Sequence, residues 1–285
     1  MPEVVERDHS YHAEATVLSG NLELPLDQEI PDQVFAKLPL EGGYLSQQAK
    51  EYRLESVISY SAAHTQVTGN REVKPGHGWS TLATSVVEDL NILDVITADR
   101  VVAQVSTEHP LEGYIPHITF LGTRFDNLRI AGHKVDLDLC LDLFGDKPEN
   151  DAPYTKDPGF VDRIAKQHAR LRGHKNPLAE LLERYNRVPE SFQNPEGNEE
   201  SVECSLVNQA EGAFPGRKFG HVIDVPNFGV IYLATVRLEH KDPHPVTRIP
   251  RETHVHLDMI QAKMGCIATG KVGVASTRTN GTTRP

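Results

Sequence analysis

Hydrophobic and polar residues alternate over long stretches of this chain, most clearly in Val135 to Phe144, VDLDLCLDLF. Val135, Leu137, Leu139, Leu141 and Leu143 take one phase, and Asp136, Asp138, Cys140 and Asp142 the other. Successive side chains of a pleated strand point to opposite faces, so a period of two describes a half-buried strand, the habit of antiparallel sheets. The rhythm recurs in Ala13 to Leu26, Tyr52 to Tyr60, Ser85 to Val105, Ile115 to Leu121 and Asn127 to Phe144. It resumes in Val202 to Val207, His221 to Val225, Val230 to Glu239 and His254 to Met264. Turn chemistries such as Gly69-Asn70, Pro226-Asn227 and Asp242-Pro243 separate these segments. About ten short strands so punctuated predict a mainly β fold, an antiparallel sandwich or barrel.

One segment breaks the rhythm. Phe160, Ile164, His168 and Leu171 make one helical stripe, and Leu178, Leu181, Leu182 and Tyr185 make a second. Gly173 is placed for a left-handed helix end, and Asn176 and Pro177 for a cap and first turn, which predicts a helical hairpin inserted at residues 158–188. Polar connections flank it, Asp146 to Pro158 and Pro189 to Glu200. Residues 1–12 read as a polar N-terminal segment, 13–275 as one β-rich domain and 276–285, STRTNGTTRP, as a flexible tail with little to bury.

Composition narrows the function. With 285 residues and 38% hydrophobic content the chain can bury a sizeable core. Forty acidic residues against 29 basic give a net charge of −11, which repels a phosphate backbone and argues against nucleic acid as a partner. No apolar run approaches the roughly 20 residues needed to span a bilayer, and the first residues lack the pattern of a classical signal peptide. The default location is therefore cytoplasmic, with the extracellular surface as the alternative. Cys140, Cys204 and Cys266 are too few and too scattered for a disulfide framework or a metal knuckle.

Candidate chemistry centres on Thr253 to Met259, THVHLDM. His254, His256 and Asp258 share a strand face, with alternate residues about 6.6 Å apart, so two imidazoles could converge on a divalent metal ion completed by His221, His240 or His244 from neighbouring strands. A wet strand face that happens to hold two histidines explains the same pattern. The motif resembles the cupin His-x-His only in part, because Gln261 stands where that family has its acid, and Arg248 and Ala268 replace its glycines. Asp136 with Asp138 could pinch a hard cation, or could guard a sheet surface against edge association. The helix segment holding Arg163, Lys166, Arg170, Arg172 and Lys175 offers a basic patch for an acidic partner. His77 and Trp79, in Gly76-His77-Gly78-Trp79, suit a ligand loop that stacks on sugars or on a partner, or a loop packed on its own sheet. No nucleophile elbow, phosphate loop, dinucleotide fingerprint or His-Glu-x-x-His motif is present.

Ile96-Thr97-Ala98-Asp99-Arg100-Val101, followed by Phe125-Asp126-Asn127-Leu128-Arg129-Ile130-Ala131-Gly132, resembles a pattern of bacterial exported β-rich domains grouped as choice-of-anchor proteins. The resemblance spans roughly Trp79 to Leu143 and implies a surface or extracellular β module. Together these features suggest a non-catalytic module that binds a protein, a carbohydrate or copies of itself. The alternatives are a metal-dependent enzyme built on His254 and His256, or a barrel isomerase or cyclase with an apolar pocket.

Overall fold

A computed structural model describes residues 8–24, 26–71, 78–185, 199–241, 252–266 and 268–284. Ten principal strands carry the fold: β1 (Asp8–Leu24), β2 (Gln28–Gln33), β3 (Gly43–Ala49), β4 (Ala62–Arg71), β5 (Trp79–Ile92), β6 (Ile96–His109), β7 (Glu199–Ser205), β8 (Gly229–Lys241), β9 (Glu252–Gly265) and β10 (Thr269–Arg284). The first sheet runs Arg217–Phe219, Val222–Val225, β8, β9, β10, β1, β2, with β7 also paired to β8; the second runs through β3, β4, β5 and β6. All pairings among these strands are antiparallel. The inner faces of β1, β9 and β10 pack on β4, β5 and β6 and bury one large apolar cluster between the sheets. The mainly β sandwich read from the sequence is the fold observed.

The first sheet carries a crease. In β1, Val17 and Leu18 both point inward, as do Val274 and Ala275 in β10, Met259 and Ile260 in β9, and Leu233 and Ala234 in β8, all at most 1% exposed. The register skips at this level in every pairing, from Thr16↔Ser276 to Leu18↔Val274, from Asp258↔Ser276 to Ile260↔Val274, and from Thr235↔Asp258 to Leu233↔Ile260. Ala234 and Ala275 accommodate it with φ of 45° and 51°. Left-handed backbone costs about 1–2 kcal/mol for a residue with a Cβ, so the surrounding sheet must hold both alanines there.

The helical hairpin is present as α1 (Pro158–Arg172) and α2 (Ala179–Arg184), with details that differ from the sequence reading. Asp157 caps α1, accepting from the Phe160 amide at 2.6 Å, and Pro158 opens its first turn. Gly173 is right-handed at φ −72°, while Asn176 takes the left-handed turn at φ 60° and α2 starts after Leu178. A short linker without a helix stop thus separates the two helices. Leu171, Leu181 and Tyr185 pack on Phe219, Val222 and Tyr232, covering one end of the first sheet's outer face. Among the described residues no helix is long and apolar enough to cross a membrane.

Three further expectations are corrected. The alternation of Val135 to Phe144 forms a strand only at Asp136–Leu139, because turn bonds from Leu143 N to Cys140 O and from Gly145 N to Asp142 O close the chain, and Arg163 of α1 donates to the Leu143 and Phe144 carbonyls. The polar start is strand from Asp8, with His9 and Tyr11 buried. The tail is strand: β10 continues to Arg284, paired with β1 along its length and with β9 as far as Gly281, with Thr277 and Thr279 buried. Threonine and asparagine look expendable in a tail, yet a strand paired on both edges needs little from its side chains. At about 1 kcal/mol net per hydrogen bond, losing both ladders beyond Ala275 is comparable with the ~5–15 kcal/mol that stabilise a typical domain. A chain truncated after Ala275 is therefore expected to lose its cooperative thermal transition by circular dichroism, whereas a frayed tail would leave the midpoint unchanged.

Candidate functional site

Above the crease, on the outer face of the first sheet, lies an open groove of about 850 Å³. Two consecutive inward residues leave the next outward positions three apart instead of two. Thr16 and Ser19 in β1, Ser276 and Gly273 in β10, and Asp258 and Gln261 in β9 therefore flank the crease and line the groove with small or polar groups. Gly273 opens the floor: a Cβ built there would meet nothing nearer than Ser276 Oγ at 3.8 Å. Glu180, Glu183 and Arg184 of α2 form one wall, and Asp32 of the edge strand β2 stands on the far side.

Asp258 sits on the groove floor with its side chain 13% exposed. It lies within hydrogen-bond reach of His256 Nε2 at 3.1 Å and accepts from the Ser276 hydroxyl and the Gln261 amide. Burial opposes its charge, but these three contacts outweigh burial and hold its carboxyl below the usual carboxylate range. The Gln261 bond exists because the crease turns residues 258 and 261 to one face; strict alternation would turn one of them inward.

The wall is similarly locked. Arg184 lies 4.1 Å over the Tyr232 ring, binds Glu203 through Nε and donates to Gln261 Oε1 at 2.8 Å. Glu203 also faces Arg237 at 3.6 Å and accepts from the Tyr185 hydroxyl at 3.1 Å. Glu180 accepts from Tyr232 and Lys263, and burial of that carboxyl is outweighed by these donors, which lower its pKa. Behind the wall, Tyr185 reaches His221 Nε2 at 2.8 Å, and His168 Nε2 lies 2.7 Å from the Glu203 carbonyl.

Of the histidines proposed from sequence, His254, His256, His240 and His221 do not converge, and His244 lies outside the described residues. His256 faces the groove, while His254 opens on a separate pocket of about 230 Å³ and contacts Glu252 at 3.0 Å and Asn280 at 3.1 Å. His240 pairs with Thr253 across the ladder, on the opposite face from His254, and its Nδ1 contacts the Thr253 hydroxyl at 3.2 Å. His221 is buried beneath the helices. Among the described residues no group of three or more His, Cys, Asp or Glu side chains is arranged to hold a metal ion. Asp136 and Asp138 are exposed and are met by Lys134 at 2.6 Å and Asn208 at 2.8 Å. His77 lies outside the described residues. Trp79 is not an exposed platform: it is 4% exposed, the first residue of β5, and stacked at 4.8 Å on His9.

Sequence reasoning singled out His256 and Asp258 but missed Ser276, Gln261, Gly273, Arg184 and Glu203. A legible signal for the crease was the doubled apolar pair in otherwise alternating runs, Val17-Leu18 and Met259-Ile260. Nothing local announced Arg184 or Glu203, which meet across a chain separation of 19 residues.

Residues 9–239 match the model of a family described as Domain of unknown function (DUF8256). No curated protein and no solved structure matches the chain.

Burial lowers the pKa of His9 to about 4, with help from His12, and brings His109 and His221 to about 3. The unfolded chain protonates its imidazoles near 6.5, so between pH ~6.5 and ~4 it binds protons that the folded state refuses. Stability is therefore expected to fall as pH drops through that window, and Asp258, whose charged form the fold favours, adds its loss below about pH 4. In urea titrations at several pH values, His221→Gln should flatten the slope by about 1.4 kcal/mol per pH unit. An unchanged slope would mean that His221 charges without unfolding.

Proposed function

We propose that this chain, which belongs to the DUF8256 family, is a binding module that holds a polar ligand in the groove above the crease. The observation that carries this reading is a groove of about 850 Å³ whose polar groups are fixed before any ligand arrives. Its volume falls in the range of ordinary ligand sites. Asp258, Arg184, Glu203 and Glu180 are each held by partners, so little side-chain freedom remains to be lost on binding. Two alanines in left-handed backbone beneath the groove point the same way, since such strain concentrates at functional sites.

The geometry supports binding over catalysis. A hydroxyl nucleophile needs a base to take its proton, and Ser276 donates to the Asp258 carboxylate, whose pKa its contacts lower and whose basicity is therefore weak. His256 in turn spends Nε2, the ring nitrogen farther from the backbone, on the same carboxylate.

Gly273→Leu tests the site without attacking the fold, because the added side chain enters open groove and the residue has no positive φ to lose. Saturation-transfer NMR against a library of sugars, amino acids and small carboxylates should show at least one class bound by the wild type and at least tenfold weaker binding to the variant. The thermal midpoint should stay within a few degrees. Silence from all three classes, or binding indifferent to the leucine, defeats the reading.

A further inference from the structure

The geometry points to a neutral oligosaccharide as the ligand of this groove, an inference that rests on the binding reading above and adds the ligand's chemical class. Shape is the first argument. The groove runs from α2, over β8, across β9, β10 and β1, to Asp32 on β2. Four strand spacings of about 4.8 Å make it roughly 19 Å long, a path for a chain of several rings.

Charge is the second argument. The groove's lining sets five carboxylates, Asp32, Glu180, Glu183, Glu203 and Asp258, among four cationic side chains, Arg184, Arg237, Lys263 and Lys271. Three of the carboxylates are directly matched: Glu180 by Lys263, Glu203 by Arg184 and Arg237, and Asp258 by its three contacts. A ligand of either sign would meet attraction and repulsion together, and so gain little net electrostatic energy. A neutral ligand suffers no such cancellation. The matched groups still have spare capacity, since a carboxylate offers about four acceptor sites and a guanidinium five donors. Acceptors and donors therefore alternate along the floor and wall, which suits hydroxyl groups because each one both donates and accepts.

A peptide fits less well. An extended peptide draws affinity from a free sheet edge and specificity from side-chain pockets. Here β8, β9, β10 and β1 are all paired on both sides, and the apolar side chains that reach the groove, Ala262 and Val272, are themselves 2% exposed core residues. No exposed aromatic ring lines the groove among the described residues, since Tyr232 is 3% exposed beneath Arg184. Affinity for a single ring is therefore expected on the order of millimolar, rising with chain length.

The decisive experiment presents the full chain to an array of neutral oligosaccharides beside uronate-bearing glycans, amino-sugar glycans and uncharged peptides, followed by calorimetry of the hits. Expected is retention of neutral oligosaccharides, nearly unchanged between about 0.05 and 0.5 M salt, as befits an uncharged ligand. Gly273→Leu should abolish it, and Gln261→Ala should weaken it about tenfold with the fold intact by circular dichroism. Selective binding of charged glycans or peptides that Gly273→Leu still blocks overturns the ligand class and leaves the groove as the site. Binding that survives Gly273→Leu, or none to any member of the array, overturns the groove itself.

Discussion

The crease across β8, β9, β10 and β1 is the constraint on which the rest of the molecule's outer face depends. A pleated strand has no freedom in the order of its side chains, so the only way to bring Asp258 and Gln261 to one face is to turn two residues inward between them. Four adjacent strands do this at one level, and the sheet between Val17 and Ala234 becomes a line of doubled apolar contacts with the core beneath. The left-handed alanines show that the arrangement works against local backbone preference. Packing on β5 and β6 supplies the compensation, because the doubled residues are buried between the sheets.

The inserted helices complete the site. An open sheet face would leave Glu203 and Tyr232 in water; α2 lays Arg184 over both and so makes a wall of what was surface. The same contact ties the groove to the interior. Arg184 bonds Glu203, Glu203 accepts from Tyr185, and Tyr185 meets His221, so one chain of hydrogen bonds runs from the groove to a buried neutral imidazole. Such networks stabilise when every member is satisfied and are costly when one is removed.

Charge in this protein is globally acidic and locally balanced. The net charge of −11 sets a negative field over the surface as a whole. Within the groove five carboxylates stand among four cationic side chains, and Glu180, Glu203 and Asp258 each have a cation or donors, so opposite charges largely offset one another and hydrogen-bonding capacity remains. On the proposed reading, that offsetting of local charge is what suits the site to an uncharged, hydroxyl-rich ligand, while strand register sends His256 to the groove, His254 to another pocket, and His240 and His221 into buried positions.

Alternation of polar and apolar residues by itself determined that the chain folds as antiparallel sheet, and the Phe160 to Leu171 stripe determined where the sheet gives way to helix. These are local signals, set by which side of its own backbone a residue must hide. His256 and Asp258 were legible for the same reason: they share a strand face. Tertiary structure alone decided which strands became neighbours, and with that the fate of every ambiguous segment. Ser276 and its threonine-rich surroundings became a central strand because β1 and β9 were free to pair with it. Trp79 went inside because His9 arrived to stack on it, and Glu203 became part of a site because α2 brought Arg184 across to meet it. Pairings of this kind join residues far apart in the chain, and no window of sequence holds both partners.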